Sequence, residues 1–223
     1  MMRHPWLWTL ALLAPLSVVP WIDMGLAGVF YDPVLELFPF RSHPVGEWVR
    51  KGMPVWLFGL AIATAVLWAA SEVWRRPLLG VSRRIGAFIL LSLALGPGVI
   101  VNLLLKDFWG RARPSHLVQF GGKSHYTSPL LPTDQCLDNC SFSSGHAALA
   151  FWVVSFALLV PPAWRGRAIA AALGFGFAVG MVRVAQGGHF LSDVAYSGAI
   201  VTAVACVLHR WLVAGSEGSS PKK

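Results

Sequence analysis

Charged side chains are scarce in this chain. Asp, Glu, Lys and Arg make up 13% of its 223 residues while apolar types make up 56%, too lopsided a balance for an ordinary water-soluble domain. A mean hydropathy of +0.61 agrees and points to a membrane protein. Acidic residues are the rarer sign, 10 against 18 Lys and Arg, for a net charge of +8. The excess cations form no stripe. They sit in short groups between apolar runs, which argues against a nucleic-acid binder. There is no internal repeat and no Walker or Rossmann glycine pattern, so the nucleotide folds built on those loops are excluded as well.

Long apolar runs are what the sequence has instead. A helix advances about 1.5 Å per residue, so it needs about 20 apolar residues to cross the hydrocarbon core. Residues 6–21, 54–74, 85–105, 146–160, 168–184 and 191–211 meet or approach that length. The reading is an all-α integral membrane bundle of six transmembrane helices forming a single domain over residues 1–223. The fourth run is short, which also suits a partly buried helix. Pro15 and Pro97 lie inside runs and predict kinks, because each removes a backbone donor. Residues 6–21 follow Arg3 and have some character of a signal peptide. The run continues to Pro20 and Trp21 without a small-residue cleavage site, so an uncleaved first span is the preferred reading. Residues 44–52 carry Trp48 among Glu47, Arg50 and Lys51, a pattern that fits either a surface amphipathic piece or a solvated connector. The tail, 216–223, is small and charged and predicts disorder.

Lys and Arg are retained in cytoplasmic loops. With the N-terminus inside, alternating spans place Arg3, Arg75, Arg76, Arg83, Arg84, Arg165, Arg167, Arg210, Lys222 and Lys223 there, a modest but consistent bias. Both termini are then cytoplasmic, and residues 106–145 form a long periplasmic loop between helices 3 and 4. A polar loop of that length is functional or disordered. It holds Cys136 and Cys140, close enough to pair in an oxidising compartment; a metal site completed by another loop residue such as His125 is the rival reading. Cys206, inside the last run, reads as a packing residue.

Ionisable residues at the margin of a membrane call for a partner or a function. Three clusters stand out. Lys106 and Arg113 are seven residues apart, two turns if the third helix continues, which would aim two cations at one anion. Arg111 between them is a candidate ligand for a second phosphate or a head group. Ser143-Ser144-Gly145-His146 precedes the fourth run, where an N-capping serine and free backbone N–H groups suit a phosphate and His146 suits proton donation. Arg183, His189 and Asp193 flank the Gly187-Gly188 turn before the last run. A carboxylate four residues beyond a histidine can hold one ring nitrogen protonated and leave the other to attack. Each cluster alone has an ordinary structural explanation, but the six-span topology puts all three on the outer side. Together they supply what phosphoryl transfer through a covalent histidine requires.

The three clusters resemble the signature of the type 2 phosphatidic acid phosphatase superfamily, K-x6-RP, PSGH and SR-x5-H-x3-D, over the stretch from Lys106 to Asp193. Two positions depart from it: Ser143 stands for proline and Val182 for serine, the second removing a possible phosphate hydrogen bond. The resemblance implies a six-helix membrane enzyme that removes phosphate from a lipid without a metal ion or other cofactor. It implies His189 as nucleophile, Asp193 as its orienter and His146 as general acid, with Lys106, Arg113, Ser144, Gly145 and Arg183 holding the phosphoryl oxygens. The contexts Cys140–His146 and His189–Asp193 further resemble the lipid A phosphatase-like branch. Phosphatidylglycerophosphate, undecaprenyl pyrophosphate, phosphatidic acid and lipid A are the candidate substrates. A phosphotransferase using the same site, and in another class an anionic lipid transporter, are the alternatives. No nucleic-acid partner is expected, and the sequence does not report oligomeric state.

Overall fold

Among the described residues helices open on proline at Pro20, Pro44 and Pro162, which suits a first turn because its missing N–H would have no intrahelical partner there anyway. The computed structural model of the protein describes residues 5–214. It holds α1 (Pro5–Val18), α2 (Pro20–Val29), α3 (Pro44–Val73), α4 (Arg83–Phe108), α5 (Gly145–Leu158), α6 (Pro162–Ala185) and α7 (Leu191–Leu212). Among the described residues there is no strand, only isolated bridges within loops. Four of the helices, α3, α4, α6 and α7, are long and apolar enough to cross a membrane. The expected tail, 216–223, lies outside the described residues.

The other two expected spans take different forms. The first apolar run is divided: Val19 is extended (φ −114°, ψ 89°) ahead of Pro20, as the residue before a proline tends to be, and the chain restarts as α2. Pro15, where a kink was expected, lies within α1. The fourth run, α5, has 14 residues, about 21 Å of helix against about 30 Å of hydrocarbon, and is largely buried among its neighbours. Residues 44–52 are not a separate surface piece. They are the first turns of α3, joined to the rest through a π-helical turn at Trp48–Gly52. Around Pro97 the helix widens to π geometry over Ala94–Leu105, and Asn102 Nδ2 donates to the Pro97 carbonyl at 2.7 Å.

The core gathers around α5 and α7. Trp152 of α5 donates its indole N–H toward Ile89 O and Ser92 Oγ of α4, each at 3.1 Å, and Ser92 also bonds Ser155 at 2.9 Å. Polar groups in an apolar interior must find such partners, and these lock α5 to α4. On the opposite side Phe151 presses into Gly176 of α6 and Gly198 of α7, where an added Cβ would stand 2.3 and 2.9 Å from its ring. Small residues at these contacts let the helices approach closely.

The loop of residues 109–144 is ordered and packed. Leu117 and Phe120 join Ala27, Phe38, Ala112 and Phe190 in a second apolar cluster, and Tyr31, Phe38 and Phe120 pack in tilted and edge-on pairs at 5.1–5.5 Å between centroids. Cys136 and Cys140 are joined as a disulfide, which removes the metal reading of that pair. Among the described residues no group of three or more His, Cys, Asp or Glu is gathered as a metal site.

Candidate active site

Ser141, the residue after the disulfide, is where the parts of the site meet. Its N–H donates to Arg111 O at 2.8 Å and its hydroxyl to Asp193 Oδ2 at 2.5 Å. Its carbonyl takes a hydrogen bond from His189 Nδ1 at 2.8 Å. A carbonyl oxygen can only accept, so Nδ1 carries the proton and Nε2 keeps its lone pair. His189 is 1% exposed, and burial pushes its pKa down to about 4; Asp193 opposes the shift, while Arg183 and Arg113 add to it. The imidazole is therefore neutral at pH 7 and gains a proton only as the pH falls through that value.

Asp193 was expected to hold the His189 ring. Its Oδ2 stands 3.7 Å from Nδ1, within ion-pair range but too far for a hydrogen bond, and the bond is made by Ser141 instead. The reason lies in where α7 starts. His189 precedes the helix rather than sharing its face, and Asp193 at the third helical position accepts the Phe190 N–H at 2.8 Å, as a capping acid does. Asp193 thus supports His189 through Ser141. Gly187, with φ +65°, makes the turn between α6 and α7 that the glycine pair predicted.

Arg111 is not a head-group ligand. Its side chain is fully buried and paired with Asp23 at 2.8 Å and with Asp193. It also donates to Thr127 O at 2.9 Å and Ser192 Oγ at 2.8 Å, and its guanidinium lies 4.3 Å from the Phe190 ring centroid. Asp23 in turn accepts from Ser192 N at 2.9 Å, which ties α2 to the start of α7. Sequence reasoning passed over Asp23, although a lone acid in an apolar stretch is itself a signal.

Lys106 and Arg113 do not share a helix face. The helix ends at Phe108, and Gly110 turns the chain with φ +69°, where an added Cβ would fall 1.6 Å from Thr133 O. Arg113 is held instead by the carbonyl of Asn139, within the disulfide loop, at 2.7 and 3.1 Å. Its pKa is lowered by burial and then by Arg41. Even so, the two charges act on each other. Lys106 and His146 lie within electrostatic reach of Arg113 and Arg183.

Ser144 is the N-cap of α5, accepting from Ala147 N at 3.4 Å; it is fully buried, so its hydroxyl serves the helix. Gly145 leaves no room for a side chain, since a Cβ would meet Asn102 Oδ1 at 2.5 Å. His146 Nε2 donates to the Arg50 carbonyl at 3.0 Å. Arg183, 6% exposed, donates to Gln186 Oε1, a partner the sequence did not suggest, and its Nε has no partner.

Two cavities adjoin these residues. One, of about 440 Å³, is a mostly apolar groove between α3, α4 and α5 that runs past Phe58, Leu93, Pro97 and Leu149 up to Lys106, Gly145 and His146. The other, of about 180 Å³, is polar and is lined by Arg113 and Arg183 together with Arg41 and Arg50. The apolar groove reaches His146, and the basin of cations reaches Gly188, the residue before His189, an arrangement that fits an amphiphile with an anionic head.

Known proteins are similar to this chain. The chain is 42% identical to a lipid A 4'-phosphatase of Francisella tularensis subsp. novicida over 51% of this chain and 52% of that one. It is 29% identical to a lipid A 4'-phosphatase of Rhizobium leguminosarum over 85% and 86% of the two chains. With a third, from Rhizobium etli, it shares 37% identity over 46% of this chain and 40% of the other. The chain thus spans about half or less of the length of the Francisella and Rhizobium etli relatives and most of the Rhizobium leguminosarum one. No solved structure matches it. The PAP2 superfamily model matches residues 86–216, from the third expected span through every cluster of the site, and the chain belongs to that superfamily.

Proposed function

We propose that this protein is a membrane lipid phosphatase that works through a phosphohistidine, with lipid A the foremost of its candidate substrates. The observation that carries this reading is His189: a buried, neutral imidazole with its Nδ1 proton fixed by Ser141 and its Nε2 lone pair available. In the first step Nε2 attacks phosphorus, an N–P bond forms and the P–O bond to the lipid breaks. His146 gives its proton to the departing oxygen, which takes the place of the Arg50 carbonyl. Water then attacks phosphorus and gives a proton back to His146 as the N–P bond breaks, and inorganic phosphate is released. Lys106, Arg113 and Arg183 balance the charge on the equatorial oxygens, and the start of α5 at Ser144 and Gly145 adds its partial positive charge. The apolar groove that ends at Lys106 and His146 supports a lipid substrate, and the names of the relatives support lipid A.

The same reading has six spans, with α1–α2 and α5 completing the four long helices, both termini in the cytoplasm and the site facing the periplasm. The distribution of Lys and Arg supports it, as does a disulfide in the loop beside the site, since such bonds persist in oxidising compartments.

The test is a phosphate-release assay on purified protein with lipid A, phosphatidic acid, phosphatidylglycerophosphate and undecaprenyl pyrophosphate. Lipid A is expected to be cleaved fastest, with inhibition by vanadate, which mimics five-coordinate phosphorus. Release from none of the four, or a strict requirement for added Mg²⁺, contradicts the proposal.

A further inference from the structure

The polar cavity contains more positive charge than one phosphate needs. Arg113 and Arg183 belong to the family pattern, but Arg41 and Arg50 come from residues before the matched region, 86–216. Glu47, the acid in this cavity, is already shared by Arg50 at 2.9 Å and Lys51 at 2.6 Å. Arg41 is exposed and, among the described residues, has no acid within ion-pair distance. Its charge acts on both Arg113 and Arg183. Four like charges gathered with one acid are unfavourable, so the assembly is suited to receive an anion.

The segment bearing Arg41 is also built against the catalytic turn. Phe38, just before the short 3-10 turn Pro39–Arg41, packs so closely on Gly187 that a Cβ there would lie 2.4 Å from its ring. Gly46 packs against Gln186, with only 2.6 Å from an added Cβ to Nε2. Two donors in this wall are buried and unpaired, Arg183 Nε and Gln186 Nε2, on residues 6% and 3% exposed. Both residues line the cavity, and buried donors left unpaired are costly, so an acceptor near them would be favourable. The volume, about 180 Å³, equals that of about six waters at roughly 30 Å³ each, room for a phosphate and its near hydration.

We propose that Arg41, with Arg50, forms a second anion subsite that holds a second phosphate of the same head group beside the one that is cleaved. This rests on the phosphatase reading and adds to it a preference, on the same lipid, for a pyrophosphate head group over a monophosphate. Arg41 is the specificity residue. Arg113 and Arg183 are shared between the two positions, so the second phosphate is bound close to the first.

The experiment has a binding arm and a turnover arm, both on the full chain in detergent. In calorimetric titration, inorganic pyrophosphate is expected to bind at least tenfold more tightly than inorganic phosphate. Arg41→Gln should remove roughly that factor, about the size of one charge-assisted hydrogen bond, while Arg41→Lys retains part of it. In turnover, Arg41→Gln should raise KM for diacylglycerol pyrophosphate roughly tenfold at unchanged kcat, and leave phosphatidic acid within twofold. Equal binding of phosphate and pyrophosphate by the wild-type protein overturns the subsite, as does an equal effect of Arg41→Gln on both lipids. Selective pyrophosphate binding without phosphate release from any lipid supports the subsite and sinks the phosphatase reading.

Discussion

His189→Ala is expected to reduce phosphate release by on the order of 10⁴-fold or more, because it removes the atom to which the phosphoryl group is transferred; in other enzymes loss of the nucleophile alone costs about as much as loss of the whole catalytic set. The protein should still fold, since the side chain makes one hydrogen bond, to Ser141. His146→Ala is expected to cost less, about 10²- to 10⁴-fold, the usual range for a lost general acid. It should also weaken lipids with a good leaving group least. Steady-state assays on both variants, with circular dichroism to establish folding, measure these effects. Near wild-type release by His189→Ala contradicts the assignment.

Arg111→Met is expected to act on stability rather than chemistry. The side chain joins Asp23 of α2 to Asp193 of α7 from a fully buried position. Two carboxylates would be left buried without their counter-charge, and breaking a buried pair in this way costs about 3–5 kcal/mol. For a chain of this size the thermal midpoint should fall by on the order of 10 °C. Arg111→Lys should recover only part of the loss, because one ammonium cannot reproduce the forked contacts to Thr127, Ser192 and both acids. Thermal unfolding in detergent measures both, and a midpoint unchanged in Arg111→Met shows that the pairing contributes nothing.

The helical, membrane character of the chain was legible from hydropathy alone, because a span must be apolar whatever surrounds it. The break between the last two helices was legible too, since a turn such as Gly187-Gly188 is written in the local sequence. What spacing did not give was geometry. Lys106 and Arg113 looked like partners on one helix, but Gly110 takes a left-handed conformation and ends that continuity. His189 and Asp193 looked like neighbours on one face, yet the helix begins between them, and the bond to the imidazole comes from a backbone carbonyl, which no side-chain pattern can announce. The division of the first apolar run was readable in principle, since Val19 precedes a proline. Arg111 was misread for a physical reason. A cation between two phosphate ligands resembles a third, and only the tertiary placement of Asp23 reveals that its charge is spent inside the protein. Arg41 carried no local signal, because its position over the site depends on Phe38 packing against Gly187.

The claim on which the rest depends is that a phosphoryl group resides on His189 during turnover. Rapid quenching into base of a reaction with ³²P-labelled lipid, followed by peptide mass spectrometry, tests it directly, because phosphohistidine survives alkali. The expected result is a labelled peptide whose added phosphate maps to His189 and disappears in His189→Ala. Label on another residue, or turnover at full rate with no covalent label at any quench time, contradicts the account.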